Sequence, residues 1–265
     1  MEISTIIGLV GGILAVGVGM VLKGANLSAL INPAAFLIII AGTAACIFNA
    51  FPLEQIKKFP QLFKILLKKP QRMPKGELLS LFTNLSQVAR REGLLALEPM
   101  LEDIQDAYLK SGLSMVIDGM DADLIADVLG LDIAQMEARH RSGAQIFTQA
   151  GTYAPTLGVL GAVVGLIAAL GNLNDIEKLG HSIAAAFIAT LLGIFTGYVI
   201  WHPFANKLKM LSQEEAEYRR MMLEGILSIQ AGDNPATVAA KLRVFVPQDQ
   251  REKLDGKPNE ESANG

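Results

Sequence analysis

Asp, Glu, Lys and Arg are missing from four long stretches of this chain, residues 3–22, 33–51, 153–170 and 182–201. With no acid or base at depth in an apolar layer, the chain has no group of its own on which to carry an ion across. Cysteine is nearly absent too. Cys46 stands alone in the second stretch, so an internal disulfide is excluded and the thiol reads as a small apolar filler. The three histidines, His140, His181 and His202, lack the spacing of metal ligands. A net charge of −3 offers nucleic acid nothing to bind. There is no P-loop, no nucleotide-binding glycine motif and no Ser/His/Asp constellation, so neither an enzyme nor a cofactor is expected. No basic residue precedes Lys23, which denies the first stretch the n-region of a cleaved signal and makes it a retained helix. Strand-like alternation of useful length is absent, as is any repeat at a fixed period.

What remains is apolar. Hydrophobic residues make up 51% of the 265, and the mean hydropathy is +0.37. Each uncharged stretch is near the ~20 residues that span a bilayer as a helix. The expectation is an all-α membrane protein with four transmembrane helices and a helical cytoplasmic domain. Basic residues set its orientation. The connections 23–32 and 171–181 hold only Lys23 and Lys178. Lys57, Lys58, Lys64, Lys68, Lys69 and Arg72 follow the second span, Arg139 and Arg141 precede the third, and Lys207 and Lys209 follow the fourth. By the positive-inside rule, loop 52–152 and both termini face the cytoplasm. The expected divisions are 1–52 for the first two spans, 53–150 for the cytoplasmic domain, 151–204 for the last two spans, 205–246 for a helical extension and 247–265 for a disordered tail.

Within the polar region, Leu78, Leu81, Phe82, Leu85 and Val88 recur at helical spacing, predicting a helix over 75–91 that Gly93 interrupts. A second helix is expected over 96–110, with Pro99 in its first turn, and a short one over 122–129, capped by Asp121. From Asp132 a helical pattern runs into the third span, and the fourth span continues through Tyr218 and Ile226. Asn234 and Pro235 open a last short helix.

Four features invite a functional reading. Small residues pair four apart at Gly8/Gly12, Ala15/Gly19, Gly161/Gly165 and Gly193/Gly197, the spacing that lets helix backbones approach closely. Thr156, Thr190 and Thr196 are the polar groups at depth in the last two spans. Each hydroxyl either bonds the carbonyl one turn back or faces an ion path. Pro155 fits the first turn of the third span, whereas Pro203 removes a hydrogen bond from a continuing helix and is either a hinge or a passive kink. Arg90, Arg91, Glu92 and Glu98 gather around Gly93, as a solvated surface or as a docking rim. On an unbroken helix Arg91 and Glu98 would share a face.

Five segments carry a family resemblance: GMVLKG at 19–24, NPAA at 32–35, ARREGLLALE at 89–98, GTYAPTLGVLG at 151–161 and GYVIWHPFANKL at 197–208. Over nearly the whole chain they resemble the bacterial flagellar stator A subunit, the MotA/PomA family. The resemblance implies five subunits ringing two copies of a B subunit (MotB-like), whose single membrane helix supplies the ion-binding aspartate. It implies a home in the bacterial inner membrane and torque delivered to the rotor protein FliG. Arg90 and Glu98 match the family's rotor-contacting charges, with Arg91 and Glu92 as neighbours. Pro155 and Pro203 match its functional prolines. Thr190 matches the threonine facing the aspartate, with Thr156 and Ala162 along the same path.

Sodium-type relatives place Thr where Ala162 stands. Losing that hydroxyl removes an oxygen a sodium ion would use, whereas a proton needs only the partner's carboxylate and a water path. The alternatives are a sodium-coupled stator, an energy-transducing subunit of the ExbB/TolQ kind and a self-contained transporter. The last would need an ionisable group or a broken helix within the spans. Proton coupling predicts that cells bearing only this stator swim at a speed set by protonmotive force; a speed that follows external sodium instead refutes it.

Overall fold

The computed structural model describes residues 3–68, 72–171, 173–248 and 251. Among them there is no strand, and four helical runs are long and apolar enough to cross a membrane: Ile3–Leu22, Leu27–Ala50, Ala122–Leu170 and Ile176–Gln230. The described residues form two compact units, within Met1–Pro70 plus Arg139–Leu211 and within Gln71–Ala138 plus Ser212–Gly265.

The first unit holds the apolar helices. Helix α1 (Ile3–Leu22) buries none of its residues. Its polar ties are at its start, where Lys207 Nζ donates to Ser4 Oγ and Thr5 Oγ1 at 2.8 and 2.7 Å. A 3-10 turn, Leu27–Leu30, leads to α2 (Pro33–Phe36). Asn32 Oδ1 accepts the Ala35 N–H at 3.1 Å, and Pro33 sits at the first helical position, where its missing N–H costs nothing. A π turn, Leu37–Ala41, joins α2 to α3 (Gly42–Ala50) without breaking the helical path. Two short helices follow, α4 (Leu53–Ile56) and α5 (Phe59–Leu67). The lysine-rich segment read as a linker is thus an amphipathic helix in part. Phe59, Phe63 and Leu66 face inward against Phe147 and Phe204, and the Phe59 and Phe147 rings stack at 4.9 Å.

The second unit has a conventional apolar core. Helix α6 (Lys75–Glu92) contributes Leu78, Phe82 and Leu85, each no more than 1% exposed. Next come a 3-10 segment, Leu94–Leu101, and α7 (Ala107–Ile117). The continuous helix expected over 96–110 does not form. Pro99 has no N–H to give an α-helical ladder, and Asp106 starts a new helix by accepting the Leu109 N–H at 3.0 Å. Asp121 does cap the next helix, accepting the Asp123 N–H at 2.8 Å. That helix, α8, does not stop at residue 129 but runs on from Ala122 to Leu170. Helix α9 (Ile176–Phe195), a π turn (Thr196–Trp201) and α10 (His202–Gln230) are continuous, as the pattern of the fourth span predicted. Helix α11 (Pro235–Arg243) follows, with Asn234 Oδ1 accepting the Thr237 N–H at 2.9 Å. Of the tail expected to be disordered, residues 247, 248 and 251 are described. There Arg251 donates to the carbonyls of Val246 and Val244 at 2.7 and 2.9 Å. The remainder lies outside the described residues.

Close approach of α8 and α9 organises the first unit. A Cβ built on Gly193 would stand 2.8 Å from both the Ala154 carbonyl oxygen and Gly158 Cα. One on Gly158 would stand 2.9 Å from the Ala189 oxygen. Gly161 and Gly165 continue the seam against Ala189 and Ala186. The small-residue pairs of the last two spans therefore do what their spacing predicts, with Gly158 as a fifth member. In α1 the pairs do so only at Gly12, where a Cβ would stand 2.5 Å from Val199 Cγ1; one at Gly8 or Gly19 would meet nothing within 4 Å. Gly193→Ala is expected to destabilise the purified protein by about 1–3 kcal/mol through overpacking. Gly8→Ala should instead be neutral or stabilise by about 0.5–1 kcal/mol through helix entropy. Thermal unfolding in one detergent separates the two.

Candidate functional site: a charged turn and a proline-marked helix pair

Two groups of sequence-predicted residues occupy two places, one in each unit. The first is the turn after α6. Its helix ends because Gly93 adopts φ +90° and ψ 167°, a region open in practice to glycine alone. The Gly93 N–H still donates to the Ala89 carbonyl at 3.0 Å, so the turn stays tied to the helix. On either side, Leu85 and Leu97 are fully buried, and Leu101 is buried with them. These anchors hold the charges between them outward. Arg90, Arg91, Glu92 and Glu98 are all exposed, and none forms an ion pair among the described residues. The break at Gly93 removes the shared helical face of Arg91 and Glu98. Leu95 stands among these charges at 73% exposure. The sequence reading passed over it, because periodicity alone cannot tell an outward leucine from an inward one across a 3-10 turn.

Other charges of the unit pair with one another. Arg219 bridges Asp132 and Glu215 and lies over the Tyr108 ring, 5.1 Å from its centre. Burial pushes the Tyr108 phenol well above its ordinary range, against the opposing pull of Arg219. Burial likewise raises Tyr218. Lys241 and Asp233 pair at 2.9 Å; the bond holds the carboxyl below, and the ammonium above, its usual value.

The second group lies in the first unit. Pro155 is not at a helix start, as the sequence suggested, but deep inside α8, because that helix begins more than thirty residues earlier. It leaves the Gly151 carbonyl without its helical donor. Gly197 of the π turn covers that gap. A Cβ there would lie 2.6 Å from Pro155 Cγ and 2.8 Å from the Gly151 oxygen. The His202 ring lies over Gly151 itself, with ring carbons 2.8 Å from where a Cβ would be. Pro203 follows as the second residue of α10, just after the π turn closes with the His202 N–H donating to the Gly197 carbonyl. The two prolines thus bracket one contact, made by Gly151, Pro155, Gly197 and His202.

The hydroxyls at depth bond one turn back. Thr190 Oγ1 donates to the Ala186 carbonyl at 3.3 Å, Thr156 to Thr152 at 3.2 Å and Thr196 to Leu192 at 2.8 Å. Thr190 and Ala162 are half-buried and Thr156 is exposed. Thr148 and Thr152 extend the Thr156 position into a ladder four residues apart, a spacing written in the sequence. Among the described residues, no three His, Cys, Asp or Glu side chains gather as a metal would require.

Comparison with known proteins places this arrangement. Residues 6–93 match the motility protein A N-terminal family and residues 100–221 the MotA/TolQ/ExbB proton channel family. Motility protein A of Bacillus subtilis (strain 168) is 52% identical over 99% of this chain and 100% of its own length. The chain belongs to the motility protein A family. The chemotaxis protein PomA of Vibrio alginolyticus is 30% identical over 95% of this chain and 98% of its own. Among solved structures, the flagellar MotAB stator complex from Bacillus subtilis superimposes with a TM-score of 0.90 at 54% identity, covering 94% of this chain and 98% of that one. MotAB of C. jejuni gives 0.89 at 31% identity, with coverage of 94% and 97%. The full-length match and the N-terminal family favour the motor branch over the ExbB/TolQ alternative, and family and spans together make this a membrane protein.

The family regions divide the site. The N-terminal region ends at Gly93, and the channel region holds Pro155, Ala162, Thr190 and Pro203. Glu98 falls between them. Gly93→Ala is expected to cost about 1–3 kcal/mol in thermal unfolding, because an alanine at that backbone geometry is strained. Arg90→Ala should stay within ~0.5 kcal/mol of the parent, as an exposed and unpaired side chain does.

Proposed function

We propose that this chain is the A-type subunit of an ion-driven flagellar stator and that it works as wall and lever for an ion bound elsewhere. One observation carries the reading: the four apolar stretches 3–22, 33–51, 153–170 and 182–201 hold no Asp, Glu, Lys or Arg. Such spans guide an ion but cannot hold one. The carboxylate comes from a B-type (MotB-like) partner helix, and five copies of the chain surround two of that partner. Thr190, Thr156 and Ala162 lie along the ion's path. The hydroxyls, already bonded to their own helices, keep lone pairs to offer a passing proton or water. Pro155 and Pro203 couple movement of the spans to the polar domain. Their shared contact favours this role, since two helices short of one backbone hydrogen bond each bend at lower cost there.

The turn of Arg90, Arg91, Glu92 and Glu98 engages the rotor protein FliG. Its charges are rigidly based and unspent within the chain, which suits a surface that binds and releases by charge complementarity. Loop 53–150 and both termini face the cytoplasm, and the complex sits in the bacterial inner membrane. The driving force is modest: an elementary charge crossing 100 mV releases about 2.3 kcal/mol. A wall of small and aliphatic residues with no polar lock suits steps of that size. The coupling ion is the proton, on the chemistry of Ala162.

Liposomes test the central claim. The chain alone should pass no proton or sodium current, and co-reconstitution with the B-type partner should produce one; a selective current from the chain alone overturns the reading. For the lever, exchanging Arg90→Glu together with Glu98→Lys should abolish torque on a tethered bead while membrane abundance stays unchanged. A collapse in abundance would make those charges structural.

A further inference from the structure

An apolar groove of about 550 Å³ opens between α1, the Leu27–Leu30 turn and α9. Ile13, Val18 and Leu22 line one wall, Leu27 and Leu30 the end, and Phe195 the far side. Every residue that lines it is aliphatic, phenylalanine or glycine. Water gains nothing in such a space, having no polar partner there. Gly17 keeps it open, since a Cβ at that position would come no nearer than 4.0 Å to a single atom, Leu27 Cδ2. The groove lies among helices that cross the membrane, so hydrocarbon is the solvent at its mouth.

One end of the groove is marked by charge. Lys23 directly follows Val21 and Leu22, two of the lining residues, at the point where α1 leaves its uncharged stretch. It is exposed and makes no ion pair among the described residues. A lysine stem lies along apolar surface while its ammonium reaches the headgroup level. An apolar slot ending in an unspent cation is complementary to one class of molecule. We propose that the groove seats an acyl chain of an anionic phospholipid, with the lipid phosphate drawn to Lys23. The lipid would cover a helix that otherwise buries nothing in its own chain. This site is separate from the charged turn and from the Pro155–Gly197 contact, and it needs only the membrane location of the spans.

The test uses the chain assembled with its B-type partner in nanodiscs. Either phosphatidylglycerol or phosphatidylcholine carries a photoreactive diazirine on its acyl chain, and labelled peptides are mapped by mass spectrometry. Labelling should concentrate within residues 13–30 and 191–195 and favour phosphatidylglycerol. Lys23→Glu should lower that preference about fivefold or more, because it replaces attraction to the lipid phosphate by repulsion. Gly17→Phe should fill the slot and remove labelling at 191–195. Equal labelling by both lipids that Lys23→Glu leaves unmoved overturns the proposal. So does cross-linking of the groove to a second copy of the chain in place of lipid. Should Gly17→Phe fail to assemble, the Lys23→Glu ratio decides alone.

Discussion

Helices in an apolar layer have no hydrophobic drive toward one another, and this constraint shapes the first unit. What remains to hold α8 and α9 together is close approach of backbones, which requires side chains to be missing. Gly158 and Gly193 meet with their Cα atoms so near that neither tolerates a Cβ, and Gly161 and Gly165 extend the seam onto alanines. Contacts of this kind are apolar, non-directional and individually weak. They hold two helices firmly while leaving no polar lock between them. Helix α1 has no seam of that length; Gly12 comes close to the Val199 side chain, and polar bonds tie the start of the helix.

The seam ends where the helices stop being regular. Pro155 frees the Gly151 carbonyl, and the facing helix answers with a π turn whose Gly197 lies directly on it. A π turn is a widened stretch of helix that commonly sits at functional places. Here it has a local cause as well. It lies directly before Pro203, which cannot donate to the ladder, so the deficit of one helix is packed against the irregularity of the other. The aromatic group of Phe59, Phe63, Phe147, Trp201 and Phe204 surrounds α5 beside it and supplies the dispersion energy the glycines lack.

The second unit solves a different problem with ordinary means. Its core is leucine, isoleucine, methionine and phenylalanine, and its ion pairs (Arg72–Glu215, Arg219–Asp132, Arg220–Glu137, Lys241–Asp233) join elements that already pack. The turn around Gly93 is the contrast. Leu85, Leu97 and Leu101 are sunk in the core, yet the charges between them form no ion pair among the described residues. A rigid base beneath unpaired charges spares a partner the cost of ordering that surface on binding.

Hydropathy, glycine spacing and the start signals Asp121 and Asn234–Pro235 were enough to determine four spans, the polar region between them, the helix over 75–91 and the seam of the last two spans. These are local properties, written in the period of side chains and in the chemistry of the first helical turn. Tertiary structure alone decided the rest. Pro155 fits the first turn of a span, although the helical pattern from Asp132 already runs past it; only the continuous helix from Ala122 to Leu170 shows it to be interior. Residues 96–110 hold helix-forming side chains, but Pro99 and the cap at Asp106 divide them into a 3-10 segment and a new helix, with Leu97 and Leu101 buried in the core. That Gly197 covers the Gly151 carbonyl, that Leu95 faces out and that a slot opens beside Gly17 depend on which distant backbone comes near, and residue period carries no record of that.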